Sequence, residues 1–224
     1  MEIKGIDISH WNGDIDFKKV KSSGIEFVIL KAGGSDKGFY MDSRFKSNYE
    51  KAKEAGLYVG AYYFAGRNFL GVQAGYLDAL RFIEILKGLK FEYPVFIDIE
   101  ATDKRYADLA TDAAAAFCST MESAGYFVGV YASDISGFKE RLRKERLESY
   151  TSWVARYGSE PSYMEEWAIW QHTSKGSVPG ISGSVDLDIS KKDFAKVIKQ
   201  KGFNGYKPEK KTSKKAQKEV KDGI

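Results

Sequence analysis

Pro94-Val95-Phe96-Ile97-Asp98-Ile99-Glu100 is an apolar strand pattern that ends in two carboxylates. On an extended segment successive side chains alternate, so Phe96, Asp98 and Glu100 share one face and Val95, Ile97 and Ile99 the other. Two acids on one face of an otherwise apolar strand are costly to bury unless something uses them. Residues two apart along a strand lie roughly 6–7 Å from each other. That is close to the separation at which two carboxyls work on opposite sides of a glycosidic bond. Taken alone, the segment also fits a strand end that runs into solvent with both acids hydrated.

Outward from this stretch, strand-like segments recur at Lys4–His10, Phe27–Gly33, Tyr58–Ala65, Phe127–Ser133, Ser152–Tyr157, Trp167–Thr173 and Ser184–Ile189. With Val95–Ala101 they make eight. Helical patterns fit Asp16–Ser23, Ser43–Ala55, Gln73–Leu86, Asp108–Ala124, Ser136–Arg146 and Lys191–Lys201. Gly24, Gly56, Gly125 and Gly202 stand just after four of these, where a helix end favours glycine. Alternating strands and helices predict a parallel sheet with right-handed crossovers. Eight strands in about 200 residues predict an irregular TIM-like (β/α) barrel whose last strands have little helix between them. An open, doubly wound sheet is the alternative, but no Gly-x-Gly-x-x-Gly or phosphate-loop signature follows any strand.

The chemistry of such a barrel sits at the C-terminal ends of its strands. Those ends supply Asp7, then Tyr62 and Tyr63, then Asp98 and Glu100, then Tyr131, Trp153, Trp170 with Gln171, and Asp186 with Asp188. Acids and aromatics with few cations describe a carbohydrate groove, because aromatic faces cover the apolar faces of sugar rings and carboxylates bind hydroxyls or move protons. Each residue also has an ordinary role open to it: Asp7 as a turn cap, Tyr62 and Trp153 as core, one of Asp186 and Asp188 as a hydrated strand acid. Oxygen ligands from Asp7, Asp98, Glu100 and Asp186 also suit Mg²⁺ or Ca²⁺. The absence of an Asp-x-Asp-x-Asp-Gly loop makes that the weaker account, and no metal or cofactor is expected. The two histidines, His10 and His172, have no cysteine pair to complete a zinc set. No Gly-x-Ser-x-Gly elbow is present, and the single Cys118 reads as a buried thiol.

Composition narrows the class further. Of 224 residues, 43% are apolar, and no run is long enough to span a membrane. The net charge of +4 belongs to residues 207–224, where seven lysines face three acids, so the preceding 206 residues are balanced. A neutral body argues against nucleic acid binding by the folded part. Residues 1–205 read as one module and 206–224 as a Lys-rich linker. The N-terminus lacks a charged and then apolar leader, so no secretory signal is expected.

Six segments, in order, resemble the lysozymes of glycoside hydrolase family 25. They are Gly5-Ile6-Asp7-Ile8-Ser9-His10-Trp11-Asn12-Gly13, Phe27-Val28-Ile29-Leu30-Lys31-Ala32, Ala55-Gly56-Leu57-Tyr58-Val59-Gly60-Ala61-Tyr62, Pro94 to Glu100, Trp170-Gln171 and Gly183-Ser184-Val185-Asp186-Leu187. The resemblance implies a modified β/α barrel that cleaves the β-1,4 bond between N-acetylmuramic acid and N-acetylglucosamine in the glycan strands of peptidoglycan. By the same match Glu100 is the general acid, Asp98 the second catalytic carboxylate, Asp7 and Asp186 the flanking acids, and Tyr62 an aromatic of the subsite. The family often has His at Tyr63 and Asn at Asp188, which implies altered subsite contacts. Residues 213–224 resemble the opening of a short cell-wall-binding repeat of phage lysins, so a further C-terminal binding module is expected. With no secretory signal, a phage-type lysin is expected to be made in a host cytoplasm and to reach the wall through a holin lesion, with a bacterial autolysin exported by another route as the alternative.

The expected chemistry follows from these positions. Glu100 protonates the leaving oxygen, its pKa raised by the charges of Asp98 and Asp7 and by a partly apolar pocket. Asp98, ionised, stabilises positive charge near the anomeric carbon or positions the substrate's acetamido group. The spacing leaves retention and inversion both open. A non-catalytic glycan-binding barrel, or a hydrolase of another N-acetylhexosamine polymer such as chitin, are the other readings.

Overall fold

The computed structural model describes residues 2–208; from residue 209 on, the expected linker and repeat lie outside the described residues. Nine strands form: β1 (Ile3–Ile8), β2 (Phe27–Gly34), β3 (Tyr40–Met41), β4 (Tyr58–Phe64), β5 (Val95–Asp98), β6 (Val128–Ser133), β7 (Thr151–Ala155), β8 (Ile169–Gly176) and β9 (Val185–Ser190). Their order is β1-β9-β8-β7-β6-β5-β4-β2-β3, and β1 also pairs with β2. Eight strands therefore close on themselves, and β3 pairs antiparallel with the last two residues of β2, Gly33 and Gly34. The helices are α1 (Phe17–Ser22), α2 (Phe45–Glu54), α3 (Val72–Leu86), α4 (Ala107–Ser123) and α5 (Phe194–Lys201).

The expected barrel is present, with two corrections. The sheet is not wholly parallel: β9 runs antiparallel to both β8 and β1. A parallel return needs a crossover of a dozen or more residues, and the short connection between β8 and β9 holds no helix, so the chain turns straight back. The helix expected over Ser136–Arg146 is absent as such. A six-residue π-type turn (Asp134–Lys139) and a 3-10 turn (Lys144–Arg146) stand in its place. Gly137 sits mid-segment, where glycine disfavours helix, and tertiary contacts hold the chain instead. The Arg141 guanidinium donates to the Thr102 carbonyl (2.6 Å), and the Arg143 amide donates to Thr111 Oγ1 (2.9 Å).

Strand alternation divides the apolar residues into two cores. Ile6, Val28, Leu30, Val59, Val95, Ile97, Val130 and Val154 face outward under the helices. Phe27, Ile29, Phe96, Trp153 and Ile169 fill the barrel. The floor is closed by α5, whose Phe194 and Ile198 pack into the same inner cluster beside Tyr93. Asp193 caps its start by accepting from the Lys196 amide, and Gly202, left-handed at φ 76°, ends it. Gly5 makes room inside: a Cβ there would stand 2.2 Å from the Phe27 ring. With the lower barrel filled this way, the inward-facing acids gather toward the opposite end.

Candidate active site

At the open end, register brings the acids together. Asp7 on β1 pairs with Ile29 on one side and with Asp186 of β9 on the other. Asp188 lies one inward step deeper, opposite Gly5. Because β9 is antiparallel, its first residues reach the mouth, so Asp186 and Asp188 arrive from a strand start and not from the expected C-terminal end. Asp98 is the last residue of β5, and Glu100 stands beyond the strand in the following loop. The strand face expected to carry both acids is therefore interrupted, yet the two remain electrostatic neighbours.

Burial grades the acids. Asp188 is 1% exposed, Asp98 5% and Asp7 6%, Asp186 is half-buried, and Glu100 stands at the exposed rim. A hydrogen-bonded layer supports them from below. Gln171 Nε2 donates to Asp7 Oδ2 (2.7 Å), and Gln171 Oε1 accepts from the hydroxyls of Tyr131 (2.9 Å) and Tyr157 (3.1 Å). The Trp153 indole N–H donates to Asp188 Oδ1 (2.8 Å). The Tyr131 hydroxyl also lies 3.4 Å from Glu100 Oε1.

Burial raises the pKa of each of these acids. Burial, and then the charge of Glu100, hold the Asp98 carboxyl well above the ordinary carboxylate range, with Lys31 opposing. Burial raises Asp7, helped by the charges of Asp188 and Asp186. Asp186 is pushed up to about 6 by burial and by Glu100. Glu100 is raised by the protein crowding its carboxyl, against the Tyr131 hydroxyl and the charges of Arg141 and Lys31. Partial loss of hydration at the rim, more than a neighbouring charge, is thus what lifts Glu100. Among the described residues, no group of three or more His, Cys, Asp or Glu is arranged to hold a metal ion.

The family model for glycosyl hydrolases family 25 matches residues 6–181. The chain belongs to that family. It is 34% identical over 187 residues to an autolytic lysozyme of Clostridium acetobutylicum, covering 83% of this chain. It spans only 55% of that relative's length. The crystal structure of the CTP1L endolysin matches with 32% identity and a TM-score of 0.77, over 88% of this chain and 69% of that one. The modular autolysin LytC of Streptococcus pneumoniae, solved with a synthetic peptidoglycan ligand, matches with 27% identity and a TM-score of 0.71, over 84% of this chain and 46% of that one.

Within this family 25 barrel, the residues expected to contact substrate separate into three groups. Tyr62 faces inward under the mouth, 9% exposed, its ring edge-on to Trp153. Trp153, Tyr131, Gln171 and Asp188 lie beneath the acids as a buried support and offer little surface to a polymer. Tyr63 and Trp170 belong to neither place. Tyr63 is fully buried outside the barrel against Phe82 and Phe117, with its hydroxyl 3.4 Å from Asp78. Trp170 points outward onto Trp167, and its indole N–H donates to the Arg156 carbonyl (2.7 Å). Both corrections have one cause. Adjacent strand residues face opposite ways, so Tyr62 and Gln171 turn inward and their neighbours cannot.

Several further residues stand at the same end. Lys31 stands 4.4 Å from the Phe64 ring centroid and 5.9 Å from that of Tyr62, bringing a cation among the acids. Alternation from Phe27 and Ile29 places it inward, and that signal was available. Trp11, 79% exposed in the 3-10 turn after β1, and Tyr157, exposed after β7, are aromatic faces open to a ligand. Next to Trp11, His10 Nδ1 lies 2.6 Å from Asp42 Oδ2, which is itself buried. Asp42 is far from His10 in sequence, so nothing local marked the pair.

Proposed function

We propose that the chain is an N-acetylmuramidase, a lysozyme that hydrolyses the β-1,4 bond between N-acetylmuramic acid and N-acetylglucosamine in bacterial peptidoglycan. The meeting of Asp7, Asp98, Glu100 and Asp186 at one open mouth, in a chain of a glycosyl hydrolase family, carries the reading. A lysozyme and an endolysin among the similar proteins support the choice of polymer.

Glu100 is the general acid. It stands at the rim, where a leaving glycosidic oxygen can reach it, and its raised pKa retains the proton to be donated. Asp98 is too deep for that donation. Its Oδ1 is buried and has no hydrogen-bond donor among the described residues. Positive charge developing at the anomeric carbon, or on an attacking acetamido group, favours ionised Asp98, as Lys31 already does from further away. Asp7 and Asp186 flank that centre, and Tyr62 lies beneath it. Trp11 and Tyr157 offer faces along the groove. Residues 1–205 then form the catalytic module and 206–224 the linker toward a wall-binding module. Action lies at the bacterial cell wall, reached by a phage-type lysin through a holin lesion.

Purified Gram-positive walls and chitin, digested in parallel, test this reading through the new reducing ends. Muramic acid ends from walls support it. N-acetylglucosamine ends identify a glucosaminidase, preferential chitin cleavage moves the substrate, and bound glycan without cleavage leaves a binding barrel.

A further inference from the structure

Asp188 is the acid that the groove itself does not need. It is 1% exposed, lies one step below Asp7 and Asp186, and offers no surface to a sugar. One oxygen, Oδ1, accepts from the Trp153 indole, whereas Oδ2 meets no N–H or O–H donor among the described residues. An ionised carboxylate with an unpaired buried oxygen is costly. Asp188 stands diagonal to Asp7 on the same inward face, one residue pair deeper, and two ionised carboxylates so placed in a buried site repel each other. A proton between them satisfies both.

We propose that Asp7 and Asp188 share a single proton at neutral pH, so that Asp188 acts as a buried positioning group that orients Asp7 from below. This rests on the muramidase reading only for what Asp7 does, not for the proton. Asp7 is then held by two donors from beneath, the Gln171 amide and the shared proton, and its remaining lone pairs face the groove. The arrangement also removes one negative charge from a mouth that otherwise gathers five carboxyls.

The surroundings agree. Asp188 faces Asp7 on β1 and Asp186 on its own strand, the neutral Trp153 on β7 and the neutral Gln171 on β8. Asp7 further feels Asp98 of β5. The Tyr62 hydroxyl of β4 and the Tyr131 hydroxyl of β6 are kept neutral by burial and by these acids. Lys31 of β2 acts on Asp98 and Glu100, and Arg141 acts on Glu100. Burial and Asp186 push Asp188 up to about 8. The proton belongs to the pair, and titration reports the pair as a unit.

Carbon-13 NMR titration of aspartate carboxyls, wild type beside Asp188→Asn, tests the inference without reference to activity. The expected wild-type spectrum holds one acid-form resonance from this pair at neutral pH that moves only in the alkaline range, and in Asp188→Asn the Asp7 resonance moves at lower pH. Asparagine can donate to Asp7 and accept from Trp153, but cannot titrate. An Asp7 and Asp188 pair with both carboxyls ionised at pH 6 overturns the proposal. Turnover on walls separates positioning from mere packing. Asp188→Ala loses about tenfold or more, and Asp188→Asn restores most of it. Above about pH 8 the wild type falls more steeply than Asp188→Asn, by ~tenfold more per pH unit, because a second group loses its proton. Equal alkaline slopes in wild type and Asp188→Asn also contradict it.

Discussion

The upper and lower halves of the barrel interior are built by the same strands and filled with opposite chemistry. Two residues along β5 separate Phe96, fully buried in the inner apolar cluster, from Asp98, buried with an oxygen left unpaired. Two residues along β1 separate Gly5, which admits the Phe27 ring, from Asp7. Below, Phe27, Tyr93, Phe194 and Ile198 remove apolar surface from water, the main favourable contribution to folding. Above, acids are confined where charge is unfavourable. The lower half therefore stabilises the fold and the upper half gives some of that stability up, as sites arranged for chemistry commonly do.

Asp98→Asn strikes the upper half and gives the largest expected effect. Turnover falls by about 10²–10⁴, measured as muropeptide release at matched protein concentration, and near wild-type release removes Asp98 from the chemistry. The same variant sharpens the comparison through stability. Asp98 is held above the ordinary range in the folded chain, so the folded state binds more protons than the unfolded one between those two values. The contribution of Asp98 to stability is then greatest below about pH 4 and falls as pH rises. Asp98→Asn should raise the Tm at neutral pH and leave it nearly unchanged at acid pH. An equal Tm change at both would break the link between burial and charge.

Phe194→Ala strikes the lower half. A loss of about 3–5 kcal/mol is expected from the cavity left under the barrel, read by denaturant unfolding, with kcat of the remaining folded fraction within about twofold of wild type. A large fall in kcat at unchanged stability would deny the division. The smallest effect is Tyr63→Phe, outside the barrel altogether. Losing the hydroxyl near Asp78, whose own carboxyl burial pushes up to about 6, should cost about 1 kcal/mol and leave wall hydrolysis unchanged. Altered product patterns would return Tyr63 to the groove.

These contrasts also mark what the sequence could convey. Period-two alternation and glycine-terminated helices made the eight barrel strands legible, and Asp7, Asp98, Glu100 and Asp186 were found because each ends or begins such a segment. Alternation also carried the answer for Tyr63 and Trp170, which stand beside inward-facing Tyr62 and Gln171 and so face away. The antiparallel course of β9 was not legible, since an alternating strand reads alike in both directions. The Asp7–Asp188, Tyr131–Gln171 and His10–Asp42 pairings join residues far apart in the chain, and only closure of the barrel brings them together. Depth was the other missing quantity. Trp153 and Asp188 have the right types for a sugar site, but their positions along the strands place them under it.

Glu100→Gln, assayed for muropeptide release and thermal unfolding on the same sample, tests the central claim most directly. The account predicts release reduced by about 10²–10⁴ with a Tm equal to or slightly above that of the wild type, because a crowded carboxyl is neutralised without loss of packing. Release close to wild type, or a loss of activity that tracks a fall in Tm, would contradict it.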